Sequence, residues 1–181
     1  MKSRILVLVL AACTLAVPVL ADSRSTPYAG QQSRIIKALS EEDIAALLKG
    51  EGMGMAKAAE LNGYPGPIHV LTLALELELT PTQRQQIQAI FDRMSAAAKP
   101  LGAELVEHER MLDQAFAKTE ITPDRLATET TAIGELAGRL RLVHLAAHLE
   151  TRALLNPAQI ALYQHLRGYG DPAAVMHHHH G

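Results

Sequence analysis

Residues 71–83 read LTLALELELTPTQ, and the fold turns on how they are read. Leu71, Leu73, Leu75, Leu77 and Leu79 alternate with other residues over nine positions, which is the period of a half-buried strand. Three features point to helix instead. Leu, Ala and Glu favour helix over strand. Counted from Ile68, a helix places Ile68, Leu71, Leu75 and Leu79 on one apolar stripe and Val70, Leu73 and Leu77 on a second beside it, leaving His69, Thr72 and Glu76 on a polar face. The segment then ends in Thr80-Pro81-Thr82-Gln83. Thr80 can cap, Pro81 suits the first helical position, and Gln83 can reach back from the third, which is a capping box. The stretch therefore predicts a helix over about 68–79, a sharp corner at Leu79-Thr80 and a second helix beyond it.

The same punctuation recurs at Ile121-Thr122-Pro123 and at Leu155-Asn156-Pro157-Ala158-Gln159. Helix starts are thus expected at 80, 122 and 156. Between them lie two long segments with helical apolar spacing. The first carries Ile87, Ile90, Phe91, Met94, Leu101, Leu105 and Leu112; the second carries Leu126, Ile133, Leu136, Leu140 and Val143. Pro100 interrupts the first, where a bend and not a stop is expected. Short connections make neighbouring helices antiparallel. The predicted fold is all-α: a long antiparallel helical hairpin turning near residue 120, with short flanking helices. One of these starts at Ser40 and runs to about Lys49, capped by Ser40 with acids in its first turn. A second runs from Met55 to about Leu61 after Gly50, Gly52 and Gly54.

Outside this core, MKSRILVLVLAACTLAVPVLADS at the start has Lys2 and Arg4 before an apolar run and Val19-Leu20-Ala21 at cleavage positions. It reads as a secretory signal peptide cleaved after Ala21. Leu10-Ala11-Ala12-Cys13 offers a lipoprotein box as the alternative, though Cys13 sits early and the residues after it stay apolar. Cys13 is the only cysteine, so cleavage after Ala21 leaves an exported chain held by its apolar core alone. The signal carries two of the 17 basic residues and none of the 19 acidic ones. The remainder is acidic and has no footprint for nucleic acid. Few aromatics and abundant helix formers argue against an all-β export domain. The expected organisation is a signal at 1–21, a flexible polar arm at 22–39, a helical domain at 40–168 and a His-rich tail at 169–181.

The two segments Leu79-Thr80-Pro81-Thr82-Gln83 and Leu155-Asn156-Pro157-Ala158-Gln159 resemble the paired LTxxQ motifs of the Spy/CpxP family of periplasmic helical proteins. Asn156 stands where the motif has Thr and keeps the capping role. The resemblance covers about residues 66–168. It implies a periplasmic protein, often a homodimer, whose hairpins form a curved cradle. Spy-like members bind unfolded or misfolded envelope proteins without ATP, and CpxP-like members restrain an envelope-stress sensor kinase; an anti-sigma system is a partner of the same kind. A related branch holds ZraP and the CnrX-type heavy-metal sensors. The segment Leu142–Pro157 looks like the CnrX branch, but alignment on Arg152-Ala153-Leu154-Leu155-Asn156-Pro157 puts the His and Met ligands of that branch on Ala147 and Thr151, with His148 one residue out of register. Those ligands are therefore not transferred.

The residues themselves suggest a metal site. His144 and His148 are an i, i+4 pair, a spacing that can chelate. Hairpin geometry sets them opposite about residues 93–97, near Met94, and sets His69 opposite about residue 91. His69, Met94, His144 and His148 are expected to converge at the open end of the hairpin, with Asp92 or Glu76 available to complete the set. Such mixtures suit copper, nickel or zinc; the plain alternative is ordinary, partly buried histidines. Met53-Gly54-Met55 has a copper-handling spacing, or is a pair of gap-filling methionines. His108, between Glu107 and Glu109, reads as part of a solvated face. His177, His178, His179 and His180 would bind divalent metals loosely. No nucleophile elbow, phosphate loop or closed metal motif is present, so no enzyme activity and no required cofactor are expected. The sequence therefore points to a periplasmic chaperone or stress adaptor first, and to a heavy-metal sensor or metal-binding resistance protein second. A structural envelope protein with neither activity is the third reading.

Overall fold

The computed structural model describes residues 26–169. The expected signal peptide, Cys13 and the His177–His180 tract lie outside the described residues. Two units are distinguished, divided after Gln32. In the first, the described residues form turns, with the Ala29 N–H donating to the Thr26 carbonyl and the Gln31 N–H to the Tyr28 carbonyl.

The second unit is all-α, and its helix starts follow the caps. They are α1 (Glu41–Lys49), α2 (Lys57–Glu60), α3 (Pro67–Thr72), α4 (Pro81–Ala117), α5 (Pro123–Ala153) and α6 (Pro157–Leu166). Thr80, Thr122 and Asn156 are the N-caps of α4, α5 and α6, each followed by Pro in the first turn. Such a side chain satisfies a backbone N–H that the helix cannot, and its removal typically costs about 1 kcal/mol. Ser40 and Asp43 form a capping box on α1, which ends on Gly50 at φ 70°. The 37-residue α4 runs through Pro100 without stopping. No helix of the described residues is long and apolar enough to cross a membrane.

Helices α4 and α5 pack along each other as the hairpin. One core cluster holds Leu47, Ala98, Leu101, Leu105, Leu136 and Leu140. There α1 lies directly on α4 at Gly102, where a Cβ would sit 2.1 Å from the Leu47 carbonyl oxygen. Only glycine admits that approach. A second cluster holds Val70, Ala74, Leu77, Leu79, Ile87, Leu155 and Tyr163.

The opening stretch is not a strand, but neither is it one helix. Helix α3 ends at Thr72, and residues 73–78 continue as turns. The Ala74 N–H bonds to the Leu71 carbonyl, an i−3 bond, and the turns close at Glu78 (φ 49°), with the Leu79 N–H donating to the Ala74 carbonyl. Val70 and Leu77 of the second expected stripe face the core with Ala74, whereas Leu75 of the first stripe is 81% exposed and Ile68 is exposed. The second short helix is also shorter than expected, Lys57–Glu60. The stretch read as a flexible arm is packed from Ser33 onward. Ile36 is buried, and Lys37 donates to the Asp113 carboxylate through its backbone N–H at 3.1 Å and its Nζ at 3.4 Å.

Candidate functional site

Two sites emerge from these helix ends, and the first joins the two capping boxes. Gln83 Oε1 accepts from the Thr80 N–H at 3.0 Å, and Gln159 Oε1 accepts from the Asn156 N–H at 3.0 Å. Each glutamine amide also reaches across. Gln83 Nε2 donates to Gln159 Oε1 at 3.0 Å and to the Leu154 carbonyl at 2.8 Å. Gln159 Nε2 donates to Gln83 Oε1 at 3.2 Å and to the Leu77 carbonyl at 3.1 Å. The two amides thus form a reciprocal pair in which both oxygens and both nitrogens are used, next to the cluster that buries Leu79 and Leu155. The motif residues have three jobs: leucine packs, Thr or Asn caps, and glutamine both caps and locks one motif to the other.

The second site is a pocket of about 460 Å³ whose lining includes His69, Met94, His144, His148 and Met53. Its wall above α4 and α5 is the glycine-rich stretch 50–54, in which Gly50, Met53 and Gly54 all have positive φ. Phe91 lines the pocket with His69, as the corner at Thr80 implies. Met53 and Met55 part company: Met53 lines the pocket, whereas Met55 packs on the Leu47 cluster. The two further acids expected there are elsewhere. Glu76 is exposed on a different surface beside Asn156 and Leu162, and Asp92 accepts from Gln88 Nε2 at 2.9 Å. His108 is half-buried, between exposed Glu107 and half-buried Glu109. Its Nδ1–H donates to Glu129 Oε2 at 2.8 Å, and Glu129 is buried.

The polar frame of the pocket centres on Glu60, a residue with no periodic or motif signal. Tyr163 OH donates to Glu60 Oε1 at 2.6 Å and the Gly66 N–H to Oε2 at 3.2 Å. Arg167 Nε lies 3.5 Å from Oε1 and His148 Nδ1 3.7 Å from Oε2. Burial, together with this carboxylate, pushes the Tyr163 phenol far above its ordinary value. His148 Nδ1–H donates to the Tyr64 carbonyl at 2.7 Å, which leaves Nε2 with the lone pair in the neutral ring. Arg152 ties down the same connector, donating to the Gly63 carbonyl at 2.9 Å and lying 4.6 Å from the Tyr64 ring centroid. Arg167 Nε is buried without a hydrogen-bond partner, and so is Nε2 of His144, which is 3% exposed. Burial, then the neighbouring His148, holds its pKa below the ordinary imidazole value, and burial does the same for His69.

The pocket brings together the four residues expected to converge. Even so, among the described residues no three His, Cys, Asp or Glu side chains are grouped so as to hold a metal ion. The sequence missed Glu60, Tyr163 and Arg167. All three lie on short elements whose placement depends on the hairpin, and only the run of glycines at 50–54 hinted that a wall of the pocket was there.

Hairpin, paired motifs and caps together define a class of helical protein built on LTxxQ helix starts. The family model described as LTXXQ motif family protein matches residues 69–167, more than half of the chain. This chain belongs to that family, the Spy/CpxP type. No curated protein and no solved structure matches it significantly.

Proposed function

We propose that the chain works in the periplasm as an ATP-independent chaperone or envelope-stress adaptor, holding unfolded or misfolded envelope proteins and acting as a homodimer. The observation that carries the reading is the outer face of α5. Leu142 and Leu149, two helical turns apart, are 66% and 59% exposed. Gly134 and Gly138, on the same side, have nothing within 4 Å of a would-be Cβ. Exposed Arg141, Glu150 and Arg152 border this apolar strip. An apolar strip with a charged rim can hold extended client segments weakly and release them without chemistry. A sensor kinase or anti-sigma factor would use the same surface in the adaptor role. In the decisive assay, the protein at equimolar ratio delays aggregation of a chemically unfolded client, and Leu142→Ser/Leu149→Ser removes at least half of the delay with the fold unchanged by circular dichroism. No delay by the unmodified protein sinks the reading.

One observation favours a second reading, a periplasmic heavy-metal sensor or metal-binding resistance protein: three imidazoles and two thioethers line one pocket. His69, His144, His148, Met53 and Met94 would hold copper, nickel or zinc there. Calorimetry with Cu(II), Ni(II) and Zn(II) on protein lacking residues 176–181 tests it. Stoichiometric binding lost in His144→Ala/His148→Ala supports this reading, and no binding removes it.

A further inference from the structure

The same pocket has the features of a small-molecule site. Its volume of about 460 Å³ falls in the usual range of roughly 300–1,000 Å³ for such sites. Phe91, Met94 and Ile68 supply an apolar surface, and methionine adapts to irregular ligand shapes. Against that surface stands His144, almost wholly buried, with Nε2 unpaired. A buried imidazole without a partner is costly unless a guest completes its hydrogen bonds.

The charges around the pocket narrow the guest. Lys49, Lys57 and Arg167 face Glu51 and Glu60 there. Glu60 is committed to Tyr163, Gly66 and Arg167, and Lys49 lies 3.9 Å from Glu51. Among the described residues Lys57 has no ion-pair partner. Its Nζ lies 3.5 Å from the Cβ position of Gly54, and His144 Nδ1 lies 3.5 Å from the Cβ position of Gly52. The Lys57 ammonium and the His144 ring, by its Nδ1, thus flank a single turn.

We propose that this pocket binds a small organic monocarboxylate with an apolar body, its carboxylate held between Lys57 and His144 and its body lying on Phe91, Met94 and Ile68. A dianion would meet one uncommitted cation, and a neutral apolar molecule would leave His144 unpaired. The site is separate from the outer face of α5, so client holding can succeed or fail without affecting this proposal.

The test is calorimetry on EDTA-treated protein with octanoate, octan-1-ol and inorganic phosphate as probes. The expected result is saturable one-to-one binding of octanoate, octan-1-ol weaker by about tenfold or more, and no binding of phosphate. Lys57→Met and His144→Phe each weaken octanoate by about tenfold. Lys57 is exposed, so its variant keeps the fold even if His144→Phe does not. Absence of saturable octanoate binding overturns the proposal, as does equal affinity for octan-1-ol or indifference to Lys57→Met. Binding of Zn(II) or Cu(II) to this pocket without any octanoate binding overturns it in favour of the metal reading.

Discussion

The glutamine pair and His144 are both largely buried polar features of one helical unit, and the structure treats them in opposite ways. Gln83 and Gln159 use both amide atoms, each amide serving its own cap and the other motif. His144 has a buried nitrogen with no partner. A satisfied buried network stabilises and fixes one arrangement, whereas an unsatisfied group weakens the fold where it sits. The first region adds stability and the second holds a buried polar atom that adds none. Tyr163 connects them, since its ring lies in the motif cluster and its hydroxyl holds Glu60 at the pocket edge.

Substitutions should separate the two regions by size of effect. Tyr163→Ala should cost most, about 4 kcal/mol in denaturant unfolding, because it opens a cavity in the motif cluster and strips Glu60 of a donor. Gln159→Leu should cost about 3 kcal/mol, since it orphans the Leu77 carbonyl and the Asn156 N–H and leaves Gln83 half satisfied. A loss below about 1 kcal/mol there would show that the pair adds little to stability. Asn156→Ala removes one cap and should cost about 1 kcal/mol, read as a small drop in midpoint with an unchanged slope. His144→Phe should cost least, near zero or slightly stabilising at neutral pH, because an apolar ring replaces an unpaired polar one.

The histidines also set the direction of the pH response. The pKa of His144 and of His69 in the folded chain lies below the ordinary 6.5. The unfolded chain therefore takes up protons first as the pH falls. Their contribution to stability is complete above about pH 6.5 and is lost as the pH drops through the lowered values. Denaturation at about pH 7.5 and about pH 5 should show this loss, and His144→Phe should make it shallower. An equal loss in the variant would assign the acid response to other groups.

Much of this architecture was legible in the sequence. Capping is a local interaction, decided within four residues by the side chain and the backbone it satisfies, so Ser40, Thr80, Thr122 and Asn156 marked their helix starts correctly. The hairpin followed from two long apolar periodicities and a short link, and its register was enough to place His69, Met94, His144 and His148 around one pocket. The exposure of Leu75 was not legible, because two adjacent apolar stripes competed for one buried face and packing took the one holding Val70 and Leu77. Nor were the pairing of Gln83 with Gln159, the role of Glu60 or the unpaired nitrogen of His144. Those join residues far apart in sequence, and which polar atoms find partners is settled only when the helices pack. The chain by itself determined where helices begin and which faces are apolar; tertiary packing decided which polar groups were locked together and which were left without partners.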